Sequence, residues 1–171
     1  MKERTGMITI HGNPLTLCGD ELQVGDTAPD FELLDNDLGK VKRSEFSGKV
    51  SVLCSVPSLD TPVCDMETRR FNQAAADLGD EVAIVTVSMD LPFAQKRWCG
   101  AAGIDKVITL SDHFNASFGI AYGVLLKELR LLARAVFVID RQGIVRYRQL
   151  VKEVTDEPDY EAVLRAVKNL V

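Results

Sequence analysis

Hydrophobic positions fall along the chain in two rhythms, and each predicts a different kind of element. The runs "VSVLCSV" (50–56), "VAIVTVSM" (82–89) and "RAVFVID" (134–140) are rich in β-branched residues and lack polar alternation. That is the pattern of strands covered on both faces. "KVITL" (106–110) reads as a further strand, and "GIVRYRQL" (143–150) as the return strand of a hairpin turned at "RQG". Between them the period changes to that of a helix. "DMETRRFNQAAADL" (65–78) places Phe71, Ala74, Ala75 and Leu78 on one face. "LPFAQKRWCGAAG" (91–103) opens with a proline suited to a first helical turn and closes with glycine. "NASFGIAYG" (115–123) reads as a short helix. "EPDYEAVLRAVKNLV" (157–171) is an amphipathic one, with Tyr160, Val163, Leu164 and Val167 along its stripe. At the start, "MITI" and "LTLC" flank the turn signal "HGNP" and predict a hairpin. "VGDTAPDFELLD" then enters a short strand around Phe31 to Leu34, "NDLGK" turns, and "VKRSEFSGK" supplies a short strand and a loop.

Strand, helix, strand, helix, then a late hairpin and a final helix predict an α/β domain. Its central sheet should be mixed, with helices on both faces. Parallel neighbours early and an antiparallel hairpin late is the order of a thioredoxin-like fold. The chain is expected to form one domain over residues 1–171, with residues 1–20 as an N-terminal hairpin extension.

Composition narrows the partners. The chain has 171 residues, and a domain of that size buries roughly 70% of its unfolded surface, so it needs neither disulfides nor metal to fold. The net charge of −5 argues against nucleic acid or an anionic membrane as the main partner, since both demand a basic surface. No stretch of about 20 apolar residues is present to span a bilayer. The positively charged start "MKERTGMITIHGNP" has no apolar segment of a signal peptide behind it, so a cytoplasmic location is expected.

The cysteines carry the candidate chemistry. There are four, Cys18, Cys54, Cys64 and Cys99. No C-x-x-C occurs, so no dithiol motif or zinc ribbon is visible, and no metal or cofactor site is read. In a reducing compartment a structural disulfide framework is not expected. Cys64 follows "PSLDTPV" at the start of a predicted helix, where free N–H groups and the helix dipole favour a thiolate, the nucleophilic form. The loop belongs at the carboxyl end of a strand, where open α/β sheets meet their ligands. Thr61 can donate to the sulfur or to a bound oxygen, or can simply cap the helix. Pro57 and Pro62 stiffen the loop. Asp60 and Asp65 flank Cys64 and oppose a thiolate, although Asp65 can pair with Arg69 at i,i+4. Activation then asks for another cation. Arg134, just before a buried strand, is a candidate, or else has a surface or salt-bridge role, since it must reach water or find an anionic partner. Cys54 reads as packing inside a strand, Cys18 as structural, and Cys99 as packing beside Trp98 or as a disulfide partner.

These residues together resemble the thiol peroxidases, a bacterial branch of the peroxiredoxins with two cysteines in one chain. The likeness is carried by "PSLDTPVC", "ETRRFNQ", "SMDLPFAQKRWC" and "LLARAVFVID", and extends to "GDTAPDFEL" and "QLVKEVTDEPDYEAVL". It covers nearly the whole chain. The resemblance implies an antioxidant enzyme that reduces hydrogen peroxide and alkyl hydroperoxides. Cys64 would be the peroxidatic cysteine, Thr61 the hydroxyl that orients the peroxide, and Pro57 the shield of the thiolate. Arg134 would hold thiolate and peroxide, and Cys99 would be the resolving cysteine of a Cys64–Cys99 disulfide. It also implies a homodimer and reduction by thioredoxin. Two rival readings are a general disulfide oxidoreductase, which would want C-x-x-C, and a non-catalytic thioredoxin-like binding module, which would lack the threonine, the arginine or the second cysteine.

Overall fold

The three longest apolar runs become adjacent strands in the middle of one sheet. The computed structural model describes residues 1–171. Its strands are β1 (Glu3–Ile10), β2 (Asn13–Cys18), β3 (Glu32–Leu34), β4 (Lys40–Lys42), β5 (Val50–Ser55), β6 (Val82–Ser88), β7 (Ile108–Ser111), β8 (Leu125–Leu126), β9 (Leu131–Leu132), β10 (Ala135–Ile139) and β11 (Val145–Leu150). The helices are α1 (Pro62–Leu78), α2 (Pro92–Ala102), α3 (Ser117–Ala121) and α4 (Tyr160–Lys168). A seven-stranded sheet runs in the order β11-β10-β5-β6-β7-β3-β4. Its β5–β6 and β6–β7 pairs are parallel and all the others antiparallel, so the sheet is mixed as the element order predicts.

Alternation along the central strand sorts two cores. Val50, Val52 and Cys54 of β5 face Phe71 of α1 and Tyr160, Val163 and Val167 of α4. Leu53 points the other way, into a larger cluster with Phe118 of α3 and with Ile8, Leu15 and Leu17 of the N-terminal hairpin. Helices therefore cover both faces. Each buried aliphatic side chain contributes about 1.5–3 kcal/mol, which explains why these runs lack polar alternation. No helix is long and apolar enough to cross a membrane.

The hairpin is longer than the apolar segments suggested. Its two-residue turn has positive φ at both His11 (49°) and Gly12 (77°), the geometry whose twist matches the flanking strands. It does not stand alone. β2 pairs with β8, and β8 with β9, giving a second sheet of order β1-β2-β8-β9. β8 and β9 have two residues each, too few to show a period, and sequence reading missed both. Arg134 is left between the end of β9 and the start of β10, at the junction of the two sheets.

Candidate active site

The site forms where β5 hands over to α1. Thr61 caps the helix, with its hydroxyl accepting from the Cys64 backbone N–H at 3.4 Å, and Pro62 opens the first turn, where a missing N–H costs nothing. Cys64 thus lies among the free N–H groups of the first turn, as predicted. Its side chain is fully buried with Val56, Leu59 and the flank of Trp98. Pro57 is buried in the same loop. In this state the Thr61 hydroxyl donates to the Ser58 carbonyl at 3.1 Å, not to the sulfur, because a capping rotamer turns it back along the loop.

The loop is held from β6. Asp90 accepts from the Ser58 hydroxyl at 2.7 Å, from the Leu59 N–H at 2.8 Å and from the Ser88 hydroxyl at 2.7 Å. Gln95 of α2 donates to Ser88 at 3.0 Å and to the Leu110 carbonyl at 2.9 Å. The "SMDLPFAQ" segment therefore braces the cysteine loop, a role that sequence reading did not assign.

Arg134 reaches the sulfur. Its side chain is 2% exposed, and its donors go to α1 twice and once to the segment after β11. Nη2 donates to Cys64 Sγ at 3.2 Å, Nη1 to Glu67 Oε2 at 2.6 Å, and Nε to the Val154 carbonyl at 3.1 Å. A guanidinium has five N–H groups, so two remain without a protein partner. Burial works against its charge, but the Cys64 sulfur and Glu67 outweigh it and hold the guanidinium above its ordinary value. The surface alternative for Arg134 does not hold.

Glu67 is a candidate site residue that sequence reading passed over. Cys64, Glu67, Thr68 and Phe71 form the buried stripe of α1. An acid on that stripe was the available signal, because a buried carboxyl needs a partner. Its Oε1 has none. Burial pushes the carboxyl up from 4.5 to about 7, against the pull of Arg134. The folded protein therefore keeps a proton that the unfolded chain loses near pH 4.5, so stability falls as pH rises from about 4.5 to about 7, then levels off. The span corresponds to about 3 kcal/mol. Glu67→Gln, neutral at every pH, should flatten that fall in urea midpoints taken between pH 5 and 8. Parallel curves for the two proteins would show that Glu67 is ionised throughout.

A polar clasp joins α1 to α2. Asp65 pairs with Arg69 at 3.0 Å, as the spacing predicts, and also accepts from Trp98 Nε1 at 3.0 Å. Arg69 donates in turn to the Ala102 carbonyl at 3.1 Å. Cys99, half-buried on α2, faces away, with Sγ 3.3 Å from the Thr109 hydroxyl in β7. Thr109 in turn donates to Asn36 at 3.1 Å. All four cysteines are free. β5 and β6 lie between β10 and β7, so about 14 Å of sheet separates the two cysteines' partners. Cys18 and Cys54 are buried in the two cores, and burial drives the Cys54 thiol far up, to an unreactive form.

The comparisons with known proteins agree on the family. The Redoxin family profile matches residues 23–164. The thiol peroxidase of Bacillus subtilis (strain 168) is 57% identical over 164 residues, 96% of this chain and 98% of that one. The chain belongs to the thiol peroxidases of the redoxin family. The Staphylococcus aureus (strain MRSA252) thiol peroxidase is 53% identical over 95% of this chain and 98% of its own. Among solved structures, a peroxiredoxin-like protein from Aquifex aeolicus superposes with a TM-score of 0.91 at 44% identity, covering 98% of this chain and 99% of that one. A thiol peroxidase from Chromobacterium violaceum, at 20% identity, shares the fold with a TM-score of 0.84 over 95% of each chain. As a thiol peroxidase the chain is an oxidoreductase of the peroxiredoxin type, with a peroxide as substrate and a thiol as reductant.

Proposed function

We propose that this thiol peroxidase reduces hydrogen peroxide and alkyl hydroperoxides through a Cys64 sulfenic acid, which Cys99 resolves as an intramolecular disulfide. The observation that carries the reading is the Arg134 contact with Cys64 Sγ, with two guanidinium donors to spare. The Cys64 thiolate attacks the nearer peroxide oxygen. The O–O bond breaks, Cys64 becomes a sulfenic acid, and the departing oxygen takes up a proton to leave as water or an alcohol. Donors aimed at that oxygen lower the barrier. The spare Arg134 N–H groups fit this role, as does the Thr61 hydroxyl once turned from Ser58. Pro57 helps to seal the sulfur from water.

The Cys99 sulfur then attacks the Cys64 sulfur, and water leaves. An S–S bond needs the sulfurs about 2 Å apart, so the first turn of α1 and part of α2 must unwind, breaking the Asp65–Trp98 clasp. The result is a redox switch of packing. A groove lined by Asn36, Cys99, Ile104 and Thr109 opens beside the resolving thiol and gives an external dithiol a way in. We assign thioredoxin as that reductant, in the cytoplasm.

A homodimer completes the proposal. Met66, Leu91, Phe93 and Phe114 are exposed on segments that follow β5, β6 and β7 in turn, at one end of three neighbouring strands. A second copy would cover them. Phe93 is 66% exposed.

The test is one equivalent of hydrogen peroxide added to the reduced protein, followed by disulfide mapping. A rapidly formed Cys64–Cys99 bond is expected. Four free thiols with the peroxide unconsumed would remove the proposal.

A further inference from the structure

The N-terminal hairpin ends against the segment that holds Arg134. β11 stops at Leu150, and the chain then leaves the main sheet to pair with β1. The Thr9 N–H donates to the Lys152 carbonyl at 2.8 Å, and the Val154 N–H to the Thr9 carbonyl at 2.9 Å. Glu153 locks this junction from the side. Its Oε1 accepts from the Gly12 N–H at 2.9 Å, at the hairpin turn, and from the Thr9 hydroxyl at 3.2 Å. Its Oε2 accepts from the N–H and the hydroxyl of Thr155, both at 3.1 Å. Val154 is buried in the same cluster as Ile8 of β1.

The same segment grips Arg134 at both ends. The Val151 N–H donates to the Arg134 carbonyl at 3.0 Å, and the Val154 carbonyl accepts from Arg134 Nε at 3.1 Å. Glu67 and Cys64 hold the two Nη atoms, and two contacts alone leave the guanidinium free to tilt about the line joining them. The Val154 carbonyl is the third point that fixes its plane. The hairpin also lies before residue 23, where the match to the redoxin profile begins.

We propose that the N-terminal hairpin sets the plane of the Arg134 guanidinium through residues 151–155, with Thr9 and Glu153 as positioning residues for peroxide reduction. This rests on the reading of Arg134 given above. A small misplacement of a group that must meet both sulfur and peroxide is costly, of order 10²-fold for 1 Å. Release of one of three anchors should cost less.

The experiment measures the second-order rate constant for oxidation of Cys64 by hydrogen peroxide in single-turnover stopped flow, read by the fluorescence of Trp98, the sole tryptophan. Glu153→Ala should lower it about tenfold, a loss below that reference magnitude. Glu153→Gln keeps one acceptor oxygen and should recover much of the loss. Glu128→Ala loosens the hairpin elsewhere, where Glu128 accepts from the Thr16 N–H at 3.0 Å, and should leave the rate unchanged. In an Arg134→Ala background, Glu153→Ala should add nothing, because groups acting through one residue are not additive. A wild-type rate for Glu153→Ala, or the same tenfold loss without Arg134, overturns the proposal. Should Glu153→Ala fail to fold, the smaller loss in Glu153→Gln, tested in both backgrounds, decides it. A wild-type rate for Arg134→Ala alone would overturn the reading of the arginine, a result distinct from failure of the hairpin link.

Discussion

Arg134→Ala is expected to slow peroxide reduction by about 10²–10³-fold, the effect of removing one donor aimed at charge developing in a transition state. The loss has two parts. The sulfur loses its 3.2 Å donor, and the peroxide loses the N–H groups that would meet its leaving oxygen. The substitution also strands Glu67, whose carboxyl is buried with no other partner. Removing one member of a buried pair typically costs about 3–5 kcal/mol of stability, so the rate is read on protein shown to be folded by circular dichroism. Arg134→Lys separates charge from geometry. An ammonium keeps the charge but has no planar fork to serve Cys64, Glu67 and Val154 at once. Its rate should stay well below wild type. An unchanged rate for Arg134→Ala in stopped flow would sink the assigned role.

Cys99→Ser is expected to keep the first turnover and to lose the rest. Oxidation of Cys64 needs nothing from Cys99, whose thiol is turned toward Thr109. One equivalent of peroxide should still be consumed at the wild-type rate. Steady-state turnover with thioredoxin should fall at least about 100-fold, because an unresolved sulfenic acid is no disulfide for a dithiol to reduce. Excess peroxide should then carry Cys64 to the sulfinic acid, seen by mass as two added oxygens on its peptide. The wild-type protein should resist this change. Neither buried cysteine is placed to substitute, since Cys54 lies in the core under α1 and Cys18 within the hairpin sheet. Full turnover by Cys99→Ser would assign the resolving step to another thiol.

The clasp between α1 and α2 connects these two expectations. While Asp65 holds Trp98 and Arg69, the first turn of α1 is intact and Arg134 donates to Cys64 Sγ. On the proposed mechanism its opening would free Cys64 from Arg134 for Cys99, so that peroxide chemistry and disulfide formation would use different conformers of the same turn.

The amino-acid sequence by itself determined most of the elements and the position of the proposed nucleophile. Long apolar runs specify buried strands because a strand covered on both faces has no polar position to show. Thr61 and Pro62 specify a helix start because capping and proline placement are local effects that act within one turn. Cys64 at that start, and the Asp65–Arg69 pair one turn apart, follow from the same local rules. The tertiary structure alone decided what those rules cannot reach. Glu67 and Arg134 meet across 67 positions of chain, and Thr9 meets Glu153 across 144. Asp90 braces a loop 31 and 32 residues earlier. β8 forms because the hairpin strand β2 gives its backbone N–H and C=O groups partners, and β9 because β8 does the same for it. Each of these contacts joins residues far apart in sequence, and a period or a cap records only a residue's immediate neighbours. The charge balance around the cysteine was therefore set by how the chain folds back on itself, with α1 and the segment after β11 converging on one guanidinium.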